Sequence, residues 1–133
     1  MKNNHCLKFD ADVTPNSYLF NAHSSIGGKL IQKFKRGQIP IQTSLDLHGC
    51  TLAQAVDVLE DFLTHCLQSN YRCVLVIHGK GSLAILKNHV NRSLHDHAHV
   101  LAFCSAKPKD GGNGAVYVLL KTLSHNKDDY ETE

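Results

Sequence analysis

The sequence predicts an α/β two-layer sandwich in the order βαβαββ, a four-stranded mixed sheet with two helices on one face. Three observations predict it. Two segments of helical periodicity, 52–69 and 83–96, each follow a short stretch suited to a strand. Between them, Arg72-Cys-Val-Leu-Val-Ile77 is apolar after its first residue, the pattern of a strand buried on both faces. After them, apolar runs at 100–106 and 115–121 flank a glycine-containing turn and read as an antiparallel hairpin. Strand–helix–strand steps cross over right-handed between parallel strands, which puts both helices on the same side.

Residues 1–28 show no sustained periodicity, are rich in Asn, Ser and Asp, and close on Gly27-Gly28, so they read as an irregular N-terminal arm. Lys29 to Arg36 holds four positive charges and no acid, with Leu30, Ile31 and Phe34 on one helical face. Residues 29–42 therefore read as a basic lead-in helix and linker, the helix stopped by Gly37 and Pro40. Two roles stay open for it: a solvated packing helix, or one that meets phosphates through Lys33, Lys35 and Arg36.

From Thr43 to Leu47 the residues alternate, with Leu45 and Leu47 on one face and Asp46 and His48 on the other. Thr51-Leu-Ala-Gln54 is a capping box opening a helix whose apolar stripe is Leu52, Ala55, Val56, Leu59, Phe62, Leu63, Cys66 and Leu67. Asn70 suits its end. The helix 83–96 is expected to turn Leu83, Leu86, Val90 and Leu94 inward and Lys87, Asn88, Asn91 and Arg92 outward. Phe103 and Tyr117 alternate within strands as packing residues, although one of them on an open sheet face would suit base stacking. The domain spans 43–122, and 123–133 is an acidic tail, with Asp128, Asp129, Glu131 and Glu133 against Lys127.

A length of 133 residues allows one ordinary domain, and a net charge of +2 carries no global polybasic signal for nucleic acid or membrane. Five cysteines without CxxC spacing argue against a disulfide framework and a structural zinc site. Cys66, Cys73 and Cys104 read as small core residues. Neither a membrane span nor a signal-peptide hydrophobic region is visible, and a reducing cytosol is the expected location.

Ligands of crossover sheets bind beyond the carboxyl ends of the parallel strands. Two polar clusters sit there: Asp46-Leu-His48-Gly49 and His78-Gly79-Lys80-Gly81. If their strands are neighbours, Asp46, His48, His78 and Lys80 converge. The loop through Ser82 feeds a helix whose free N–H groups favour a phosphate, and Lys80 adds a charge. A carboxylate beside an imidazole suits proton transfer. The chemistry implied is phosphodiester cleavage, and the bland alternatives are a structural turn at 78–81 and a surface histidine at 48.

Leu45-Asp-Leu-His-Gly49, the helix opening Thr51-Leu-Ala-Gln-Ala55, Val76-Ile-His-Gly-Lys-Gly81 and Gly111-Gly-Asn-Gly-Ala-Val-Tyr-Val118 together resemble the Smr (small MutS-related) domain over about residues 43–121. The segment Leu30 to Ile41 resembles the lead-in of stand-alone bacterial Smr proteins of the SmrA/SmrB type. Leu83 stands where many Smr domains carry a third glycine. The resemblance implies a fold like the C-terminal domain of translation initiation factor 3, nucleic-acid binding and endonuclease activity. It places Asp46 and His48 at the catalytic position, and His78, Gly79, Lys80, Gly81, Gly111, Gly112 and Gly114 at the phosphate.

RNA is the favoured partner over DNA, with the ribosome a further expected partner. On RNA, attack by the 2′-OH needs no metal, with Asp46 or His48 as general base or acid and Lys80 with the N–H groups of 79–82 stabilising charge on the phosphoryl oxygens. DNA nicking calls for an activated water and Mg2+, for which one Asp and a few His are a thin oxygen-ligand set. The rival reading is a non-catalytic nucleic-acid or ribosome-binding module using the same cleft.

Overall fold

A computed structural model describes residues 13–81 and 83–122. Eight elements follow in order: β1 (Phe20–Ala22), α1 (Gly28–Lys35), β2 (Ser44–Asp46), α2 (Leu52–Gln68), β3 (Cys73–Ile77), α3 (Ile85–Asp96), β4 (Val100–Ser105) and β5 (Ala115–Leu120). The strands form one mixed sheet in the order β1-β4-β5-β3-β2. β2 runs parallel to β3, and β5 lies antiparallel between β3 and β4. Both strand–helix–strand steps thus join parallel strands, the second with β5 inserted.

The sheet has five strands rather than the expected four. Part of the arm expected to be irregular supplies the fifth, β1 pairing antiparallel with β4 so that Phe20 faces Cys104. Ser105 extends the pairing, its hydroxyl accepting the Leu19 N–H at 2.8 Å and its own N–H donating to the Leu19 carbonyl at 2.9 Å.

One sheet face carries α2 and α3. Leu59, Leu63 and Cys66 from α2 and Val90 and Leu94 from α3 close over Leu47, Val74, Val76, Phe103 and Val118. The other face carries α1, whose Leu30 and Phe34 pack on Leu75, Cys104, Tyr117 and Leu119. The basic lead-in helix is therefore a third layer, bound by its apolar stripe. Tyr117 is 1% exposed beneath it, with its hydroxyl donating to Asp110 Oδ2 at 2.6 Å. Phe103 is equally buried, so neither ring is open to a base.

Thr51 caps α2 as its sequence predicts. Its side chain accepts the Gln54 N–H at 3.2 Å, and Gln54 accepts the Thr51 N–H at 2.9 Å. Thr51→Ala is expected to cost about 1 kcal/mol, read as a lower urea midpoint at unchanged slope. Asn70 ends the segment with φ 57°, the left-handed turn that Asn tolerates. Leu52 and Val56, expected within the apolar stripe, are instead exposed.

The inward and outward faces of α3 depart most from expectation. Leu83 is 76% exposed in the turn before the helix, whereas Lys87 and Asn91 are buried at 2% and 3%. The arm explains Lys87. Its ammonium donates to the carbonyls of Pro15 (3.0 Å) and Ser17 (2.6 Å), and neighbouring Asn88 brackets Val13 through both the N–H and the carbonyl. The arm brings its own acceptors onto α3, which makes a polar flank buriable. Burial holds the Lys87 ammonium below the ordinary lysine pKa.

Candidate active site

Three loops meet at the carboxyl ends of β2 and β3. The parallel register sets Asp46 against Ile77, and the Leu47 N–H continues the ladder to the Ile77 carbonyl at 2.7 Å. The loop after β3 is then fastened to the turn before β5: the N–H groups of His78 and Gly79 both donate to the Gly114 carbonyl at 2.9 Å. Glycine is called for at two positions, for different reasons. A Cβ on Gly114 would lie 2.9 Å from Lys80 Cγ, and Gly79 holds φ +91°, a backbone conformation that residues with a side chain rarely adopt.

Asp46 and His48 form a pair at this rim. Asp46 Oδ1 accepts the His48 backbone N–H at 3.0 Å and faces His48 Nδ1 at 2.8 Å. An ionised carboxylate only accepts, so His48 Nδ1 is the donor of this bond, and in the neutral ring Nε2 keeps its lone pair. The backbone bond first, and the ring bond second, hold the Asp46 carboxyl below its ordinary pKa. The side chains are 72% and 50% exposed for His48 and Asp46, so the pair is open to a macromolecular substrate.

His48 borders a cleft of about 740 Å3 shared with Lys80, Gly81 and the start of α3. Leu83 and Ile85, both exposed, form an apolar wall that sequence reasoning assigned to no site. Helical periodicity pointed Leu83 inward and so concealed it.

His78 is placed differently from His48. Its ring is 3% exposed, Nδ1 donates to the Gly79 carbonyl at 2.9 Å, and Nε2 is buried without a hydrogen-bond partner among the described residues. Burial pushes its pKa down to about 4 against the opposing pull of the Gly79 carbonyl, with the Lys87 charge adding to the drop. His78 is therefore a buried ring, neutral near pH 7, in the wall of the cleft. Gly79 is also reassigned in part, because its N–H is already bound to Gly114, which leaves those of Lys80 and Gly81 for a ligand.

Gly111, Gly112, Lys35 and Lys80 line a second groove adjoining the first across the Lys80 loop. Lys33 and Arg36 are exposed on and just after α1 and line neither opening. Ser82 and the acidic tail 123–133 lie outside the described residues. So does Cys6, while Cys66, Cys73 and Cys104 are buried thiols.

Among the described residues no three His, Cys, Asp or Glu side chains gather as metal ligands. The described residues of the cleft include no carboxylate, and Oδ1 of Asp46 is occupied by His48, a donor set short of the oxygen ligands that Mg2+ prefers. No helix among the described residues is long and apolar enough to cross a membrane.

The Smr domain family model matches residues 45–121, which include every loop of this rim. The chain belongs to the Smr domain family. As an Smr domain it is similar in structure to YdaL, a stand-alone small MutS-related protein from Escherichia coli, with a TM-score of 0.75, 29% identity, and coverage of 87% of this chain and 98% of that one. In sequence it is 37% identical over 109 residues to the "Ribosome rescue factor SmrB" of Vibrio cholerae, covering 82% of this chain and 56% of the relative. It is 33% identical over 103 residues to the "Probable DNA endonuclease SmrA" of Escherichia coli, covering 74% of this chain and 55% of the relative. The Smr chain thus spans little more than half the length of these two relatives.

Proposed function

We propose that this Smr domain is an endonuclease that cuts RNA by transesterification, without a metal. The observation that carries the reading is the 2.8 Å contact between His48 Nδ1 and Asp46 at the mouth of a cleft that also holds Lys80. Asp46 keeps the imidazole in one tautomer, and His48 Nε2 takes the proton of the 2′-OH as its oxygen attacks phosphorus. The bond from phosphorus to the 5′ oxygen breaks, and that oxygen takes a proton from solvent, which the exposed rim admits. The products are a 2′,3′-cyclic phosphate and a 5′-hydroxyl. Lys80, its N–H and that of Gly81, and the free N–H groups at the start of α3 stabilise the extra negative charge on the phosphoryl oxygens.

The likeness to a ribosome rescue factor supports RNA at the ribosome as the setting, with the ribosome itself as a partner. The likeness to a DNA endonuclease supports the alternative of DNA nicking. That route lacks a 2′-OH and leans on oxygen ligands that the described cleft residues do not supply.

The test is incubation with labelled RNA and its all-deoxy counterpart, with and without chelator, followed by identification of the ends. Chelator-resistant cutting of RNA alone, leaving a cyclic phosphate, is the expected result. Mg2+-dependent cutting of the deoxy strand alone overturns it, and binding without cutting of either strand makes the site a non-catalytic module.

A further inference from the structure

The groove beyond the Lys80 loop is a built surface in its own right. It measures about 510 Å3 and gathers Lys35 from α1, Lys80 from the loop after β3, and Lys107 from the segment after β4. None of these ammonium groups is in an ion pair with a described residue. The nearest acid in sequence, Asp110, is engaged by the Tyr117 hydroxyl and by Lys109 at 3.3 Å. Lys35 sits over the Phe20 ring, its nitrogen 4.6 Å from the centroid.

One aromatic ring joins the lysines. Tyr18 lines the groove and is 54% exposed, whereas its neighbour Leu19 is 3% exposed in the core. The backbone is held on both sides of this residue. Lys87 donates to the carbonyl of Ser17 just before it, and the Leu19 N–H just after it donates to the Ser105 hydroxyl at 2.8 Å. Partial burial pushes the Tyr18 hydroxyl up to about 12, so the side chain stays neutral. An aromatic face on a backbone held in advance, bordered by cations without an ion-pair partner among the described residues, suits a nucleobase attached to phosphates, because stacking is gained with less further ordering.

We propose that this groove holds the single-stranded RNA segment next to the scissile phosphate, with one base stacked on Tyr18 and the flanking phosphates on Lys35, Lys80 and Lys107. The inference rests on the RNA reading of the neighbouring cleft, with which the groove shares Lys80. The strand crosses the rim over Lys80, cut on one side and gripped on the other. A duplex keeps its bases inward and offers none to the ring, so the groove selects unpaired RNA.

The experiment uses the full chain carrying His48→Ala, so that the probe is not cut, and a fluorescein-labelled single-stranded RNA read by anisotropy. Tyr18→Leu is expected to weaken binding about tenfold, the scale of one lost stacked base, and Tyr18→Phe, which keeps the ring, to stay within about twofold. An abasic site moved along the probe should find one position where loss of the base weakens binding by the protein that keeps Tyr18 but not by the Tyr18→Leu variant. That coincidence is specific to stacking, since a general loosening of the fold would weaken every probe alike. Lys107→Ala should lower the salt slope by about one phosphate contact.

Equal affinity of the Tyr18→Leu variant, or no abasic position that separates the two proteins, overturns the groove assignment. That failure is distinguishable from failure of the nuclease reading. A wild-type chain that cuts RNA yet ignores Tyr18 rejects only the groove, and one that binds through Tyr18 yet cuts nothing rejects only the chemistry.

Discussion

Replacing His48 by Ala is expected to lower RNA cleavage by about 10²–10⁴-fold, the usual contribution of a positioned general base, while leaving RNA affinity within about twofold. The asymmetry follows from where His48 stands. Its side chain is mostly in solvent and holds nothing in the core, so the fold and the Lys80 cradle persist without it. Asp46→Asn is the informative companion. An amide oxygen still accepts the His48 backbone N–H, so the loop keeps its shape, but the negative charge that stabilises a protonated imidazole is gone. Because water screens a half-exposed pair, the Asn variant should lose less than the Ala variant, about 10–10²-fold. The two His48 contacts hold the Asp46 carboxyl below its ordinary value, which favours the ionised partner that the Asn variant lacks. Single-turnover rates with matched binding curves check both points, and unchanged cutting by the Ala variant removes His48 from the chemistry.

Much of this rim was readable from local pattern. The alternation Leu45, Asp46, Leu47, His48 separates core from solvent face without tertiary information, and Leu47 is indeed fully buried while His48 is exposed. The apolar run 73–77 reads as a central strand, and adjacency of its end to Asp46 follows once the two strands pair. What escaped depends on partners distant in the chain. A three-residue edge strand at Phe20–Ala22 is too short for periodicity to register and exists because β4 offers an unpaired edge. Lys87 reads as surface by composition, and becomes core when carbonyls seventy positions away cover it. The Gly79 N–H looked free for phosphate because no local rule foretells its bond to Gly114. The stacking candidates Phe103 and Tyr117 lie within strands covered on both sides, whereas Tyr18 lay in a stretch without readable pattern.

Acid should destabilise the fold through His78. In the unfolded chain this imidazole takes its proton near pH 6.5, and in the folded one only near 4, so between those values the unfolded state binds more protons. The stabilisation is complete above about pH 6.5, declines as the pH falls towards 4, and declines no further from this group below that. A gap of that size corresponds to about 3 kcal/mol, a large share of a small domain's stability. His78→Asn offers an amide in place of Nδ1–H for the Gly79 carbonyl and carries no titrating group. The variant is expected to begin less stable at pH 7.5, through poorer filling of the site, yet to lose about 2 kcal/mol less than wild type between pH 7.5 and 4.5. Urea unfolding at several pH values measures the difference, and parallel losses in the two proteins would show that His78 titrates as if exposed. The consequence reaches the chemistry, because a protonated ring needs a partner for Nε2 that the described wall residues do not supply. Charging His78 also adds like-charge repulsion with the Lys87 ammonium at the cleft wall, so cleft and fold should weaken over the same range of pH.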